Sequence, residues 1–154
     1  MLGGLSGAQW TSLGLPAAVV FAGTAALIAF ARMLNALSLG EETAATLGVD
    51  TNRFRRLGFV VASLSTGVLV AMTGGIGFVG LMVPHFVRLA VGADHRRLLP
   101  AAALAGGIFL IWADVLARTI AAPEELPIGI VTAFAGAPFF LWLMRARARG
   151  GWTS

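Results

Sequence analysis

Residues Gly74 to Pro100 read GGIGFVGLMVPHFVRLAVGADHRRLLP, and the architecture turns on how they divide. Gly74, Gly75, Gly77 and Gly80, and then Pro84, interrupt apolar sequence ahead of a charged turn, Asp94, His95, Arg96 and Arg97. The run from Leu57 to Val87 holds no Asp, Glu, Lys or Arg. A bilayer core about 30 Å thick takes roughly 20 helical residues, so this run is too long for one crossing and too short for two full ones. The glycines resolve the mismatch. They predict that one helix ends near Thr73 and that a short one runs from Val79 to Val91, with Pro84 near its first turn, where a missing amide donor costs little. Unpaired backbone at that depth costs several kcal/mol per group when it faces lipid, so the Gly74 to Gly80 break is expected to face a pathway.

Composition agrees. Apolar residues make up 58% of the 154 and charged residues 12%, with a mean hydropathy of +0.87, which places the chain among integral membrane proteins. The remaining crossings are predicted at Leu13 to Met33, Leu57 to Thr73, Pro100 to Ala117 and Leu126 to Met144, five in all, in an all-α bundle forming a single domain, 1–154. No charge precedes Arg32, and the N-terminus lacks the basic flank of an export signal, so the first apolar run is expected to stay.

All eleven basic residues are arginine. Without lysine there is no Walker-type phosphate loop, so ATP must be bound by a partner. Cysteine is absent, which removes thiolate metal and redox chemistry. The two histidines and seven acids show neither metal-ligand spacing nor a nucleophile with its base, so no catalytic residue and no metal site is assigned. The arginines lie in short clusters rather than on one basic face with interleaved aromatics, which argues against nucleic acid. Five crossings put Arg32, Arg53, Arg55, Arg56, Arg88, Arg96, Arg97, Arg145, Arg147 and Arg149 on one side and leave Arg118 opposite; by the positive-inside rule the crowded side is cytoplasmic. Fusing residues 57–91 into one tilted helix would put Arg88, Arg96 and Arg97 outside, against that bias.

The loop over 34–50 is too regular for a plain linker. Ser38 and Glu41 have capping-box spacing, Gly40 divides it, Leu39 and Leu47 fall near one helical face, and Gly48 suits a C-terminal cap. Glu41, Glu42 and Asp50 among the positive residues suit contact with another protein better than with anionic lipid. In the Asp94–Arg97 turn, Asp94 is expected to cap the helix entering at Pro100. His85 is expected to hydrogen-bond a neighbouring helix. Asp114 and Arg118 stand four apart and can pair. Arg118 also lies close to Glu124 and Glu125, which makes it a candidate for docking an outside partner. Pro123, Pro127, Pro138, Gly129 and Gly136 support close helix packing.

Four motifs in order, LNALSLGEETAATLGV, the Gly74 to Pro100 stretch, ADVLAR and ELPIGIVTAFAGAPFF, resemble the FecCD-type membrane permeases of bacterial ABC importers for iron-siderophores, haem and cobalamin. The match runs from about Gly3 to Arg145 and corresponds to the C-terminal half of a normally ten-helix permease. The resemblance implies a multi-pass subunit of the bacterial inner membrane. It would pair with a second permease copy or the missing N-terminal half, be driven by two cytoplasmic ATPases, and be fed by an external or periplasmic binding protein. It implies ATPase-coupling positions at Leu37, Gly40, Glu41, Ala44 and Gly48, pathway positions at Gly74, Gly75, Gly77, Gly80 and Pro84, and a docking arginine at Arg118. Asp94, His95 and Arg96 remain a structural turn. No cofactor is expected on this chain. A ferric siderophore is the expected cargo, with haem or cobalamin as alternatives; a non-transporting scaffold or truncated remnant is the competing class.

Overall fold

The computed structural model describes residues 3–4, 9–48, 50–120 and 126–150, the last five by their backbone alone. After a 3-10 turn at Trp10–Ser12 come seven helices: α1 (Gly14–Ala29), α2 (Ala31–Ser38), α3 (Glu41–Thr46), α4 (Thr51–Thr73), α5 (Val79–Val91), α6 (His95–Ile120) and α7 (Ile128–Gly150). Three of them, α4, α6 and α7, are long and apolar enough to cross a membrane, and the bent pair α1 and α2 makes a fourth. Helix α5, at 13 residues, is about 20 Å long, apolar but shorter than a bilayer core requires. The all-α membrane bundle with one short helix after a glycine-rich break is therefore what forms.

Several boundaries move. The first crossing ends at Ala29 rather than Met33, because the chain bends by 58° at Phe30. The Phe30 ring packs edge-on against Phe54 of α4 at 5.7 Å, and Ala31 beside it is fully buried. Helices α4 and α6 begin earlier than Leu57 and Pro100, since each continues beyond the bilayer into its charged residues. Pro84 lies in the second turn of α5, not the first, so Gly80 loses the helical donor to its carbonyl.

Hydrogen bonds between distant segments set the topology. Asn35 at the end of α2 bonds Asp94 and His95, which places the charged turn at the same end of the bundle as the 34–50 loop. At the other end, Gly3 and Gly4 bond the carbonyls of Gly75 and Thr73, and Gly129 at the start of α7 bonds the Gly3 carbonyl. Residues 57–91 are thus two antiparallel helices, and the fused four-crossing arrangement is excluded.

Among the described residues the buried side chains are few, Ala31, Ala44, Phe54, Met82, Val83, Leu98, Ala113, Ala117, Ile128 and Thr132, and the glycines at 3, 129 and 136 are buried with them. None of the membrane-length window of α4 is buried within the chain, and large apolar side chains such as Phe59, Leu104, Trp112 and Phe134 face outward. A water-soluble fold could not carry so much exposed apolar surface.

Candidate functional site

The 34–50 loop is a helix–turn–helix of α2 and α3. Gly40 divides it as expected, at φ 113, a conformation that costs an L side chain strain. Glu41 and Glu42 occupy the first turn of α3, where the helix dipole favours negative charge. Glu41 forms an ion pair with Arg55 of α4, both side chains well exposed. Gly48 closes the segment, its N–H donating to the Ala45 carbonyl at 3.0 Å. Two details differ from expectation. Ser38 makes no capping box; its hydroxyl donates back to the Asn35 carbonyl at 2.7 Å. Ala44 is fully buried, so it seats α3 against the body instead of presenting surface, while Leu37 is half-buried. The surface of the loop is made by Leu39 and Leu47, 70% and 65% exposed, between the acids. Asp50 caps α4 by accepting the Arg53 N–H at 3.0 Å, a role its Asp-Thr sequence at a helix start permits and the reading by charge alone overlooked.

At the glycine-rich break, Gly74 takes φ 70 and ends α4, its N–H donating to the Val70 carbonyl. Part of the freed backbone is paired by protein: the Thr73 carbonyl accepts from Gly4 at 2.8 Å and the Gly75 carbonyl from Gly3 at 3.2 Å. The other part opens on a cavity of about 550 Å³. Gly74 and Gly80 line it together with Ser12, Thr66 and Thr73, and the remaining wall is apolar apart from backbone. Gly75, Gly77 and Pro84 are outside that lining. None of its described lining residues is charged, so it would hold a guest by shape, apolar contact and a few hydroxyls. Gly3 and the pairing it provides gave no sequence signal beyond being glycine.

A smaller cavity of about 240 Å³ lies between α5 and α7, lined by residues that include Phe78, His85, Gly136 and Phe139. His85 meets α7 through its ring, T-shaped on Phe139 at 5.6 Å, where a hydrogen bond was expected.

The pair expected on α6 is present: Arg118 Nε donates to Asp114 Oδ2 at 2.9 Å, at the end of the bundle opposite the other described arginines. Ala117 beside it is buried with Ala113 and Ile128. Glu124, Glu125 and Pro123 lie outside the described residues.

Asp94 caps a helix that starts at His95, five residues before Pro100, by accepting the Arg96 N–H at 3.0 Å. It also accepts from the side chain of Asn35 at 2.7 Å. These two hydrogen bonds, the Asn35 bond first, and then the charges of Arg96 and Arg97, hold the Asp94 carboxyl below the usual carboxylate range. Asn35 was not among the residues singled out from sequence. Among the described residues no cluster of three or more His, Asp or Glu side chains could hold a metal.

Residues 1–146 match the model of the FecCD transport family. The cobalamin import system permease protein BtuC of Halobacterium salinarum is 53% identical over 96% of this chain and 39% of its own length. The hemin transport system permease protein HmuU of Yersinia pestis is 43% identical over 93% of this chain and 43% of its own. The Fe(3+)-citrate import system permease protein YfmD of Bacillus subtilis is 44% identical over 94% of this chain and 44% of its own. A solved chain described as a metal-chelate type ABC transporter in an inward-facing conformation superposes with a TM-score of 0.86 at 35% identity, over 94% of this chain and 46% of that one. The chain thus spans about two-fifths of the length of the curated relatives it matches, in keeping with a half-length correspondence. With the bundle, the break and the order of motifs all accounted for over nearly its whole length, the chain is an integral membrane protein and belongs to the FecCD transport family.

Proposed function

We propose that this chain forms part of the permease of an ABC importer that takes a metal chelate across the cell membrane. The observation that carries this is the arrangement of α2 and α3: a helix–turn–helix with exposed Leu39 and Leu47 at the arginine-rich end of a bundle whose glycine-rich break borders a cavity. A loop of that build offers an apolar surface to a cytoplasmic ATPase, and the helices behind it carry the displacement toward the break. The ATPase hydrolyses ATP; the chain itself does no bond chemistry and holds no cofactor. The coupling surface comprises Leu37 to Gly48, the pathway is flanked by Gly74 to Gly80 and Pro84, and Arg118 receives an external binding protein. A second permease copy or the other half of the permease completes the route.

A ferric siderophore or related iron chelate is the proposed cargo. Cobalamin is the second reading, favoured by the 53% identity to a cobalamin import permease; haem follows from the hemin permease relative. The test is co-purification of the chain with an ABC ATPase, followed by uptake of radiolabelled ferric siderophore, haem and cobalamin into vesicles. ATP-dependent uptake of one of them is expected. A chain that brings down no ATPase is a membrane scaffold, and the proposal fails.

A further inference from the structure

We infer that Asn35 is a positioning residue, the strut that carries movement of the α2–α3 loop into the α5–α6 turn; this rests on the coupling role proposed above. Among the described residues the loop touches the rest of the bundle by side-chain polar contacts at two places. One is the Glu41–Arg55 ion pair, exposed on both sides and therefore compliant. The other is Asn35. Its Nδ2 donates to Asp94 Oδ1 at 2.7 Å, and its Oδ1 accepts the His95 backbone N–H at 2.9 Å and meets His95 Nδ1 at 2.6 Å.

The backbone donor and the carboxylate acceptor fix which way the Asn35 amide points. Its Oδ1 is an acceptor, so His95 Nδ1 must carry the proton in this contact. The amide thus uses both ends on the first turn of α6, 59 and 60 residues away in sequence. Of the two isosteres of Asn, an ionised Asp cannot donate to Asp94 and Leu can neither donate nor accept.

What the strut reaches is decisive. Asp94 and His95 follow Gly92, where α5 ends, and α5 is the short helix whose opposite end is the Gly74–Phe78 break. Helix α5 packs along α6, with the buried Val83 lying against Gly106. A push on α3 that tilts α2 is therefore delivered through Asn35 to the base of α5, and a rod about 20 Å long transfers it to the wall of the larger cavity. The neighbouring route through α4 is made by the solvent-screened Glu41–Arg55 ion pair, the Phe30–Phe54 ring contact and the packing of α1 and α3 on α4.

The test is the ratio of chelate transported to ATP hydrolysed in proteoliposomes holding the chain with its ATPase, together with labelling of Gly77→Cys with and without nucleotide. Asn35→Asp sets two carboxylates against each other and is expected to lower the transport-to-hydrolysis ratio about tenfold, with ATPase binding retained and the nucleotide response at position 77 lost. The double variant Asn35→Asp with Asp94→Asn exchanges donor and acceptor and re-forms the bond between positions 35 and 94 at the expense of the Arg96 N–H bond to the same Asp94 oxygen, and is expected to regain a large part of both signals. An unchanged ratio and an unchanged labelling response in Asn35→Asp would overturn the strut, as would failure of the reciprocal exchange to rescue. Wild-type chain that binds no ATPase would instead overturn the proposed function, and the strut with it.

Discussion

Phe78 sits directly against Gly136: a Cβ placed on Gly136 would lie 2.2 Å from the Phe78 Cβ. Phe78 holds φ 65, the left-handed region that a bulky residue rarely adopts, at the point where the break turns into α5. The glycine in α7 is thus the notch that accepts a strained residue, and the two together hold the break against a long helix.

Filling the notch is predicted to be costly. Gly136→Ala forces Phe78 to move and is expected to destabilise the protein by about 1 to 3 kcal/mol, read as a lower melting temperature in detergent. Gly107→Ala, in α6 with nothing within 4 Å of the added carbon, supplies the control and is expected to be neutral or to gain up to about 1 kcal/mol.

For the loop, Gly40→Val and Glu41→Gln are expected to reduce ATPase stimulation in the assembled complex while membrane insertion stays intact. Losing the Glu41–Arg55 pair should change stability by less than about 1 kcal/mol, because both partners are exposed. Parallel melting curves and ATPase rates check this: a large stability loss with unchanged stimulation would make the loop structural.

Arg118→Glu places a second acid one turn from Asp114 and is expected to weaken capture of a loaded binding protein about tenfold or more, with partial recovery when the facing charge on that protein is reversed. Asp114→Asn removes the ion pair but leaves the cation, so docking should persist. Equal losses in both variants, measured by surface binding, would mean that the arginine serves only the pair.

The pH dependence of the Asp94 cap follows from its lowered pKa. A carboxylate whose folded pKa lies below its unfolded value contributes stability that is complete above the unfolded value and disappears as pH falls through the folded one. The melting-temperature gap between wild type and Asp94→Asn should therefore close in acid below about pH 4, while His95, whose pKa burial and then Arg88 lower and the Asp94 charge raises, adds its own dependence between about pH 7 and 5.

Much of this was readable along the chain, where a local quantity decides the outcome. Bilayer thickness sets helix length, so the hydropathy runs gave the crossings, and the glycines at 74 to 80 gave a short helix with the observed ends Val79 and Val91. The four-residue spacing of Asp114 and Arg118 on one helix likewise gave their ion pair, and Gly40 gave the division of the loop. These depend on residues within a turn or two of one another.

Other features needed the assembled bundle. The bend at Phe30, the burial of Ala44, the meeting of Gly3, Gly75 and Gly129, the notch at Gly136 and the bonds from Asn35 to Asp94 and His95 join segments that are close only after the helices pack. A polar or glycine residue by itself carries no record of its distant partner. Which backbone comes near enough to need a missing Cβ or a shared proton is settled by helix approach, and the tertiary structure alone supplies that distance.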